Sequence, residues 1–202
     1  MFALLALVAL AGVAAVLTIG GSSTSPSASR LASKSAFHSD GVLSPPRAAP
    51  PLVLDNYLGR PVNIDAYRGK AVLVTFLYTH CPDACPLTAM HINDALGSLG
   101  ARRNHVVVLA ISVDPKGDTP SAVGTFVRTH RLRTQFHYLT GSTKALERVW
   151  RLYNVSAVRN GGPDVDHTLY TLVLDRSGKS RVLFDSLAKP ATMAHDVGLL
   201  LG

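Results

Sequence analysis

The chain has 202 residues, of which 47% are hydrophobic and 16% are charged, and its formal net charge is +7. The hydrophobic fraction excludes global disorder, and the two cysteines exclude a disulfide-rich scaffold and a zinc site built on four thiolates. The 20 Lys and Arg residues are scattered and do not form the concentrated basic stripe that nucleic-acid binding usually needs. We therefore expect no nucleic-acid partner.

The N-terminal segment is strongly apolar. Residues 2–19 contain no charged side chain, and Thr18 carries their only polar group. Eighteen such residues are enough for a helix across a hydrocarbon core of about 30 Å, and they exceed the ~7–15 residues of a typical signal-peptide core. We therefore predict that residues 1–20 are a membrane anchor, with a cleaved signal segment as the alternative. No Lys or Arg precedes the segment, so the positive-inside rule does not orient it.

The composition changes after this segment. Seven of the sixteen residues at 21–36 are Ser, and prolines follow in pairs at 45–46 and 50–51. A stretch of this kind cannot bury apolar surface, so residues 21–50 are predicted to be a flexible Ser/Pro-rich linker. Residues 51–202 number about 150, which is enough for one domain with its own core.

Strands and helices alternate within that domain. A hairpin near residues 53–62 is predicted to come first. Strands are then predicted at 71–78, 105–113, 136–140, 168–175 and 181–185, and helices at 84–99, 120–130, 143–153 and 190–201. The first two of these strands are continuous apolar runs, as expected of strands covered on both faces. The order β-α-β-α-β-α-β-β-α predicts an α/β sandwich around a central mixed β-sheet.

Both cysteines lie in one short segment, THCPDACP at residues 79–86, directly after the first long strand. A strand that runs straight into a helix leaves Cys81 near the helix N-terminus, where the macrodipole and free amides stabilise a thiolate. Cys85 follows four residues later, so both sulfurs can lie on one face. Two such thiolates can chelate a soft metal ion, close a disulfide, or do both in turn. The alternative is a pair of buried, inert thiols.

The segment FLYTHCPDACP at 76–86 resembles the copper-site motif of the Sco/SenC family, the thioredoxin-like copper chaperones used in cytochrome c oxidase assembly. The resemblance continues in ISVDP at 111–115, LTG at 139–141 and VDHT at 165–168. It implies a thioredoxin-like sandwich with a central mixed β-sheet, preceded by the N-terminal hydrophobic helix and the linker. It also implies copper, as Cu(I) or Cu(II), bound at Cys81, Cys85 and His167.

The position of His167 agrees with that ligand set. His167 comes just before the strand predicted at 168–175, and in a thioredoxin-like fold the loop before this strand lies beside the redox cysteines. Thioredoxins have a cis-proline there, whereas this chain has no proline at 166–168 and offers an imidazole. Two thiolates and an imidazole suit copper by ligand softness. The alternative is a structural histidine held by hydrogen bonds.

Two acids accompany the three predicted ligands. Asp83 lies between the cysteines and Asp166 precedes the histidine, so either carboxylate can orient the ligands or mark the surface for a partner. The alternatives are an N-terminal helix acid for Asp83 and a solvated loop acid for Asp166. Zinc competes with copper for the same three ligands. No glutamate lies nearby to act as the general base that is usual in hydrolytic zinc sites.

Three functions fit these residues. The first is a copper metallochaperone rather than an enzyme, which delivers copper to a cytochrome c oxidase copper-centre subunit or reduces that subunit's cysteines, so that thiol-disulfide oxidoreductase activity can accompany it. The second is a thiol-disulfide reductase, in which Cys81 attacks a partner disulfide and Cys85 resolves the mixed disulfide. The third is a thiol peroxidase, which leaves Cys85 and His167 unexplained. The expected partners are the oxidase subunit, other copper carriers and thiol reductases.

The expected compartment follows from this chemistry. Copper delivery to an oxidase and disulfide-capable cysteines both belong outside the cytosol. We therefore expect the domain on the extracytoplasmic face of the cell membrane, tethered by residues 1–20, with a cleaved and secreted form as the alternative. A flexible linker of about 30 residues has a reach on the order of 30 Å, which lets the domain meet a membrane-bound client.

Overall fold

The computed structural model describes residues 36–159, 161–162 and 164–202. The predicted hydrophobic helix and the first part of the predicted linker lie outside these residues. The strands are β1 (Val42–Ala48), β2 (Val53–Asn56), β3 (Pro61–Asn63), β4 (Ala71–Leu77), β5 (Val106–Ser112), β6 (Phe136–Thr140), β7 (Ala157–Val158), β8 (Asp166–His167), β9 (Tyr170–Leu174) and β10 (Lys179–Asp185). The α-helices are α1 (Ala84–Ser98), α2 (Pro120–Thr129), α3 (Thr143–Leu152) and α4 (Pro190–Leu201), and short 3-10 helices cover Ile64–Tyr67 and Gly100–His105.

Eight of these strands form one mixed sheet in the order β1-β10-β9-β4-β5-β6-β2-β3. β4 pairs in parallel with β5, and β5 pairs in parallel with β6, whereas the remaining pairs are antiparallel. β7 and β8 form a separate antiparallel ribbon. The central mixed sheet predicted from the order of elements is therefore confirmed, and each predicted strand and helix lies within a few residues of its predicted position.

The sheet is covered on both faces, which explains the continuous apolar runs of β4 and β5. On one face, the core is formed by apolar side chains of α1 and α4, such as Ile92 and Val197. On the other face, it is formed by side chains of α2 and α3, such as Phe126 and Trp150. Every residue of β4 and β5 is buried. This is the two-sided sandwich that the sequence predicts.

The start of the fold differs from the prediction. Residues 42–48, whose composition predicts a linker, form β1 and pair with β10 at the edge of the sheet. Prolines are tolerated in an edge strand, because one side of its backbone forms no hydrogen bonds to a neighbouring strand. A segment with the composition of a linker can therefore form a strand at this position. The backbone amides of His38 and Ser39 also donate hydrogen bonds of 2.7 and 2.9 Å to the carboxylate of Asp196, which is fully buried in α4. The folded region therefore begins before residue 51.

The helices that the structure describes include none that is both long enough and apolar enough to cross a membrane.

Removal of β1 should destabilise the domain. A chain that begins at residue 50 lacks β1 and the two amides that donate to Asp196, and a buried polar group that loses its partners costs about 1–3 kcal/mol, more when it is charged. We expect its free energy of unfolding to be at least about 1 kcal/mol lower than that of a chain that begins at residue 36. Urea denaturation measures the difference, and equal stabilities would show that β1 is not part of the folded core.

Candidate metal centre

The two cysteines lie where β4 turns into α1. Asp83 caps α1, and its carboxylate accepts a hydrogen bond from the backbone amide of Ala84. Cys81 is half-buried ahead of the helix, whereas Cys85 is fully buried in its first turn. The backbone N–H of Cys85 donates to Cys81 Sγ over 3.3 Å, and no disulfide joins the two residues. The predicted position of Cys81 at a helix N-terminus is therefore present.

His167 reaches the cysteines from β8, which pairs with β7 and precedes β9. Its Nε2 lies 3.6 Å from Cys85 Sγ, and its Nδ1 lies 3.0 Å from the carbonyl oxygen of Thr168. A carbonyl only accepts hydrogen bonds, so Nδ1 carries the proton and Nε2 presents its lone pair towards the sulfur. The imidazole also packs edge-on against the ring of Tyr78, with the ring centroids 5.7 Å apart. The structure thus brings the predicted histidine to the predicted cysteines.

The two cysteines differ in their ionisation. The pKa of Cys81 is lowered to about 5, mainly because the Cys85 thiol donates a hydrogen bond to it, and further because the backbone N–H groups of Cys85 and Asp83 and the Tyr78 hydroxyl also donate to it. The pKa of Cys85 is raised, because that hydrogen bond holds its proton and because it is buried. At neutral pH the reduced pair therefore consists of one thiolate and one thiol.

The imidazole is neutral at the same pH. Burial lowers the pKa of His167, and this effect outweighs the opposing hydrogen bond to the Thr168 carbonyl and the negative charges of Cys81 and Asp166. A neutral imidazole with a directed lone pair is the form of histidine that binds metals. His167 is therefore ready to act as a ligand without losing a proton.

Tyr78 belongs to the site although its sequence position does not predict this. Its side chain is buried, and its hydroxyl donates to the Cys81 sulfur and accepts from the backbone N–H of Val165. Burial is the main reason that the pKa of Tyr78 is raised to about 12, so the phenol stays protonated as a donor. A tyrosine at the end of an apolar strand looks like a core residue, and nothing in the sequence distinguishes it from one.

Asp118 is the second residue that the sequence did not reveal. Its carboxylate is buried and accepts hydrogen bonds from the Thr79 backbone N–H at 2.8 Å, the Ser112 hydroxyl at 2.6 Å and the Tyr138 hydroxyl at 3.0 Å. Burial raises the pKa of Asp118, and these three donors oppose the increase. Thr79 lies two residues before Cys81, so this carboxylate fixes the start of the cysteine turn to the end of β5.

A second buried acid holds the ribbon that carries His167. Asp114 forms an ion pair with Arg159, with Nη2 and Oδ2 2.6 Å apart, and Arg159 directly follows β7. Burial acts to raise the pKa of Asp114, but the Arg159 guanidinium and the backbone N–H groups of Gly117 and Lys116 together hold it below its usual value. Nothing in the sequence signals this pairing, because it joins residues from two separate loops. The cysteine turn and the ribbon that carries His167 are therefore both bonded to the segment that follows β5.

The two acids predicted beside the ligands have different positions. Asp83 is exposed and caps α1, which was the alternative reading of this residue, and its backbone N–H contacts the Cys81 sulfur. Asp166 is exposed, and its charge acts on His167. His80 is exposed, with Nδ1 3.2 Å from the Thr79 hydroxyl. An orienting role for Asp83 and Asp166 at a bound metal remains a prediction.

The three donors suit a soft metal ion. Two sulfurs and one imidazole nitrogen form the kind of set that selects Cu(I) or zinc, whereas a closed structural zinc site takes four protein ligands. Cys85 lies next to both of the other residues, since its Sγ is 3.6 Å from His167 Nε2 and its backbone N–H donates to Cys81 Sγ over 3.3 Å.

Residues 43–202 match the SCO1/SenC family model. Because this match covers most of the chain, the chain belongs to the SCO1/SenC family, and the resemblance of its motifs is confirmed. The match begins at residue 43, within β1, which agrees with the earlier start of the folded region.

Individual relatives agree with this assignment. Protein SenC of Rhodobacter capsulatus is 30% identical over 155 residues, which cover 75% of this chain and 69% of SenC. A SCO2-like protein of Rickettsia prowazekii is 29% identical over 135 residues, or 64% of this chain and 65% of that protein. This chain spans 61–65% of the length of the Rickettsia relatives.

A solved structure supports the fold. ScoI of Bradyrhizobium japonicum, solved with copper bound, is 30% identical, with a TM-score of 0.67, and the similarity covers 76% of this chain and 99% of that one. The mixed α/β fold therefore matches that of the thioredoxin-like Sco structures, as the sequence resemblance implied.

The ionisation of Cys81 gives a direct test of the site. Iodoacetamide reacts with thiolates, so we expect the rate of Cys81 alkylation to rise with a midpoint near pH 5, while Cys85 stays unreactive. Fragment mass spectrometry after timed alkylation distinguishes the two residues. Tyr78→Phe should raise the midpoint, because it removes one donor, whereas the control Tyr57→Phe should not. A midpoint near 8.5, the ordinary value of a cysteine, would contradict this electrostatic account.

Proposed function

We propose that this protein is a copper metallochaperone that holds copper between Cys81, Cys85 and His167. The convergence of these three residues, with Nε2 of His167 facing Cys85 Sγ, is the observation that carries the proposal. The likeness to ScoI, which was solved with copper bound, supports it. Copper is the cargo of such a protein.

Each ligand has a defined part in holding the ion. The Cys81 thiolate is available at neutral pH, whereas Cys85 must release its proton, so copper binding is coupled to proton release. The hydrogen bond from His167 Nδ1 to the Thr168 carbonyl keeps Nε2 directed at the ion, as partners of metal-bound histidines generally do. Cys81 is half-buried, so an incoming ligand of a client can approach the ion from this side.

We further propose that the client is a copper-centre subunit of cytochrome c oxidase, as membership of this family suggests. The domain would either deliver copper to that subunit or reduce its copper-site cysteines. Other copper carriers and thiol reductases would load the domain with copper and restore its thiols.

A thiol-disulfide reductase is the second candidate, and the split in cysteine ionisation favours it. A thiolate of low pKa that is half-exposed, backed by a buried thiol, is the arrangement of an attacking and a resolving cysteine. In that case Cys81 attacks a partner disulfide, and Cys85 then displaces the reduced partner from the mixed disulfide. A thiol peroxidase would use Cys81 without a need for His167 and has no separate observation in its favour.

The role of His167 separates the two functions. We expect His167→Ala to weaken Cu(I) binding at least tenfold, since loss of residues that merely orient ligands already costs 10–100-fold. The measurement is a competition titration against a Cu(I) chelator, with His80→Ala as the matched control at the neighbouring exposed histidine. The Cys81→Ser/Cys85→Ser variant should lose this binding.

The same samples report on the alternative. His167→Ala keeps both cysteines, so a chaperone variant should still form the disulfide. A change in Cu(I) affinity below about threefold, together with strongly slowed exchange with a model disulfide, would favour the reductase over the chaperone.

We also propose that the domain is tethered on the extracytoplasmic face of the membrane. The charge-free segment at residues 2–19 supports an anchor, and the Ser-rich stretch after it supports a tether. A domain held in this way remains within reach of a membrane-bound client.

The tether can be tested by protease protection. The full-length protein should sediment with membranes, and protease added to the outer face should release a fragment that begins in the Ser-rich stretch. A membrane protein whose soluble domain is known to face the opposite side of the membrane serves as the control and should stay protected. Protection of the domain from external protease would contradict the topology, and an intact soluble chain in the supernatant would indicate a cleaved signal instead.

A further inference from the structure

A second group of metal-binding side chains lies where the chain enters the fold. His38 precedes β1, and His195 and Asp196 lie together in α4. One potential ligand atom from each residue falls within 4.8 Å of the other two. None of these residues belongs to the cysteine site.

The buried carboxylate of Asp196 organises this group. It accepts backbone hydrogen bonds from His38 and Ser39, which hold the entering segment against α4. His195 Nδ1 lies 2.9 Å from Asp196 Oδ1. A carboxylate bonded to an imidazole in this way is the usual support of a metal-binding histidine, because it fixes the ring and strengthens its other nitrogen as a donor.

The two imidazoles lie against each other. The rings of His38 and His195 are stacked with centroids 3.5 Å apart and an interplanar angle of 2°. His38 is exposed, and the side chain of His195 is 36% exposed, so solvent ions can reach both rings. The accessible donors of this group are therefore the nitrogen atoms of two imidazoles, with the buried carboxylate of Asp196 behind them.

The stacked rings of His38 and His195 lie close enough to share a metal ion, but they are not oriented to bind one. Parallel stacked rings direct their lone pairs side by side, whereas a metal ion needs them to converge. With bonds of about 2.0–2.1 Å, neighbouring donors are about 3.4 Å apart in a tetrahedral site and about 2.9 Å apart in the square-planar arrangement that Cu(II) favours. Rotation of the exposed His38 side chain out of the stack can bring its nitrogen towards His195, while the backbone of His38 stays bonded to Asp196.

We propose that His38 and His195, positioned by the buried Asp196 carboxylate, form a second, thiolate-free site for a divalent transition-metal ion. Imidazole donors suit Cu(II), Ni(II) and Zn(II), and among these ions Cu(II) generally binds most tightly. The site therefore prefers the oxidised form of copper. Since His38 lies ahead of β1 and His195 in α4, a bound ion joins the entering segment to the helix.

The test uses the full-length chain in detergent, without a polyhistidine tag and with Cys81→Ser/Cys85→Ser. This variant has no thiol, because the chain contains two cysteines, so Cu(II) cannot be reduced by cysteine or bound by it. Isothermal titration with Cu(II) measures affinity, and electron paramagnetic resonance reports nitrogen coupling. Copper bound elsewhere is common to all variants, so the comparison between them isolates this site.

We expect His38→Ala and His195→Ala each to weaken one Cu(II)-binding event at least tenfold and to reduce the nitrogen coupling. The matched control is His105→Ala, which alters an exposed histidine at the end of the Gly100–His105 3-10 helix and should change neither measurement. Asp196→Asn should also weaken binding, with circular dichroism as a check that α4 remains folded.

The two histidine variants decide the result even if Asp196→Asn unfolds. Cu(II) affinity that stays within threefold of the parent in either His38→Ala or His195→Ala would overturn this site. An equal loss in His105→Ala would show that the bound ion is held non-specifically by surface histidines and would also overturn it.

Discussion

The antiparallel pairing of β4 with β9 is the constraint on which the metal centre depends. Cys85 and His167 are 82 residues apart in sequence. They meet because the C-terminal end of β4 lies beside the N-terminal end of β9 in this antiparallel pair. The pairing is reinforced inside the core, where the Thr171 hydroxyl donates to that of Thr75, and the Thr75 hydroxyl donates to the Tyr170 carbonyl. Any change in this register would separate the histidine from the sulfurs.

Buried polar groups hold the two segments that carry the metal-binding residues in place. Asp118 fixes the turn before Cys81, and the ion pair of Asp114 with Arg159 fixes the ribbon that carries His167. Burying a carboxylate costs free energy unless hydrogen bonds or an ion pair satisfy it. Asp118 and Asp114 therefore favour the single conformation in which both segments keep these contacts. The site thus has rigid support for both the cysteine turn and the ribbon that carries His167.

The sequence predicts the alternating elements and the positions of Cys81, Cys85 and His167, because apolar periodicity and motif spacing are local signals. It fails for β1, since two prolines in an edge strand have the composition of a linker. It also misses Tyr78 and Asp118, whose roles depend on contacts between distant segments. A buried acid cannot be distinguished from a solvated one until the fold determines what surrounds it.

The most direct test of the central claim is the coordination of bound copper. X-ray absorption spectroscopy of the reduced protein loaded with one Cu(I) counts the sulfur and nitrogen atoms around the ion. The account predicts two sulfurs and one nitrogen, and the loss of that nitrogen in His167→Ala. A site with two sulfurs and no nitrogen in the unmodified protein would contradict the assignment of His167 as the third ligand.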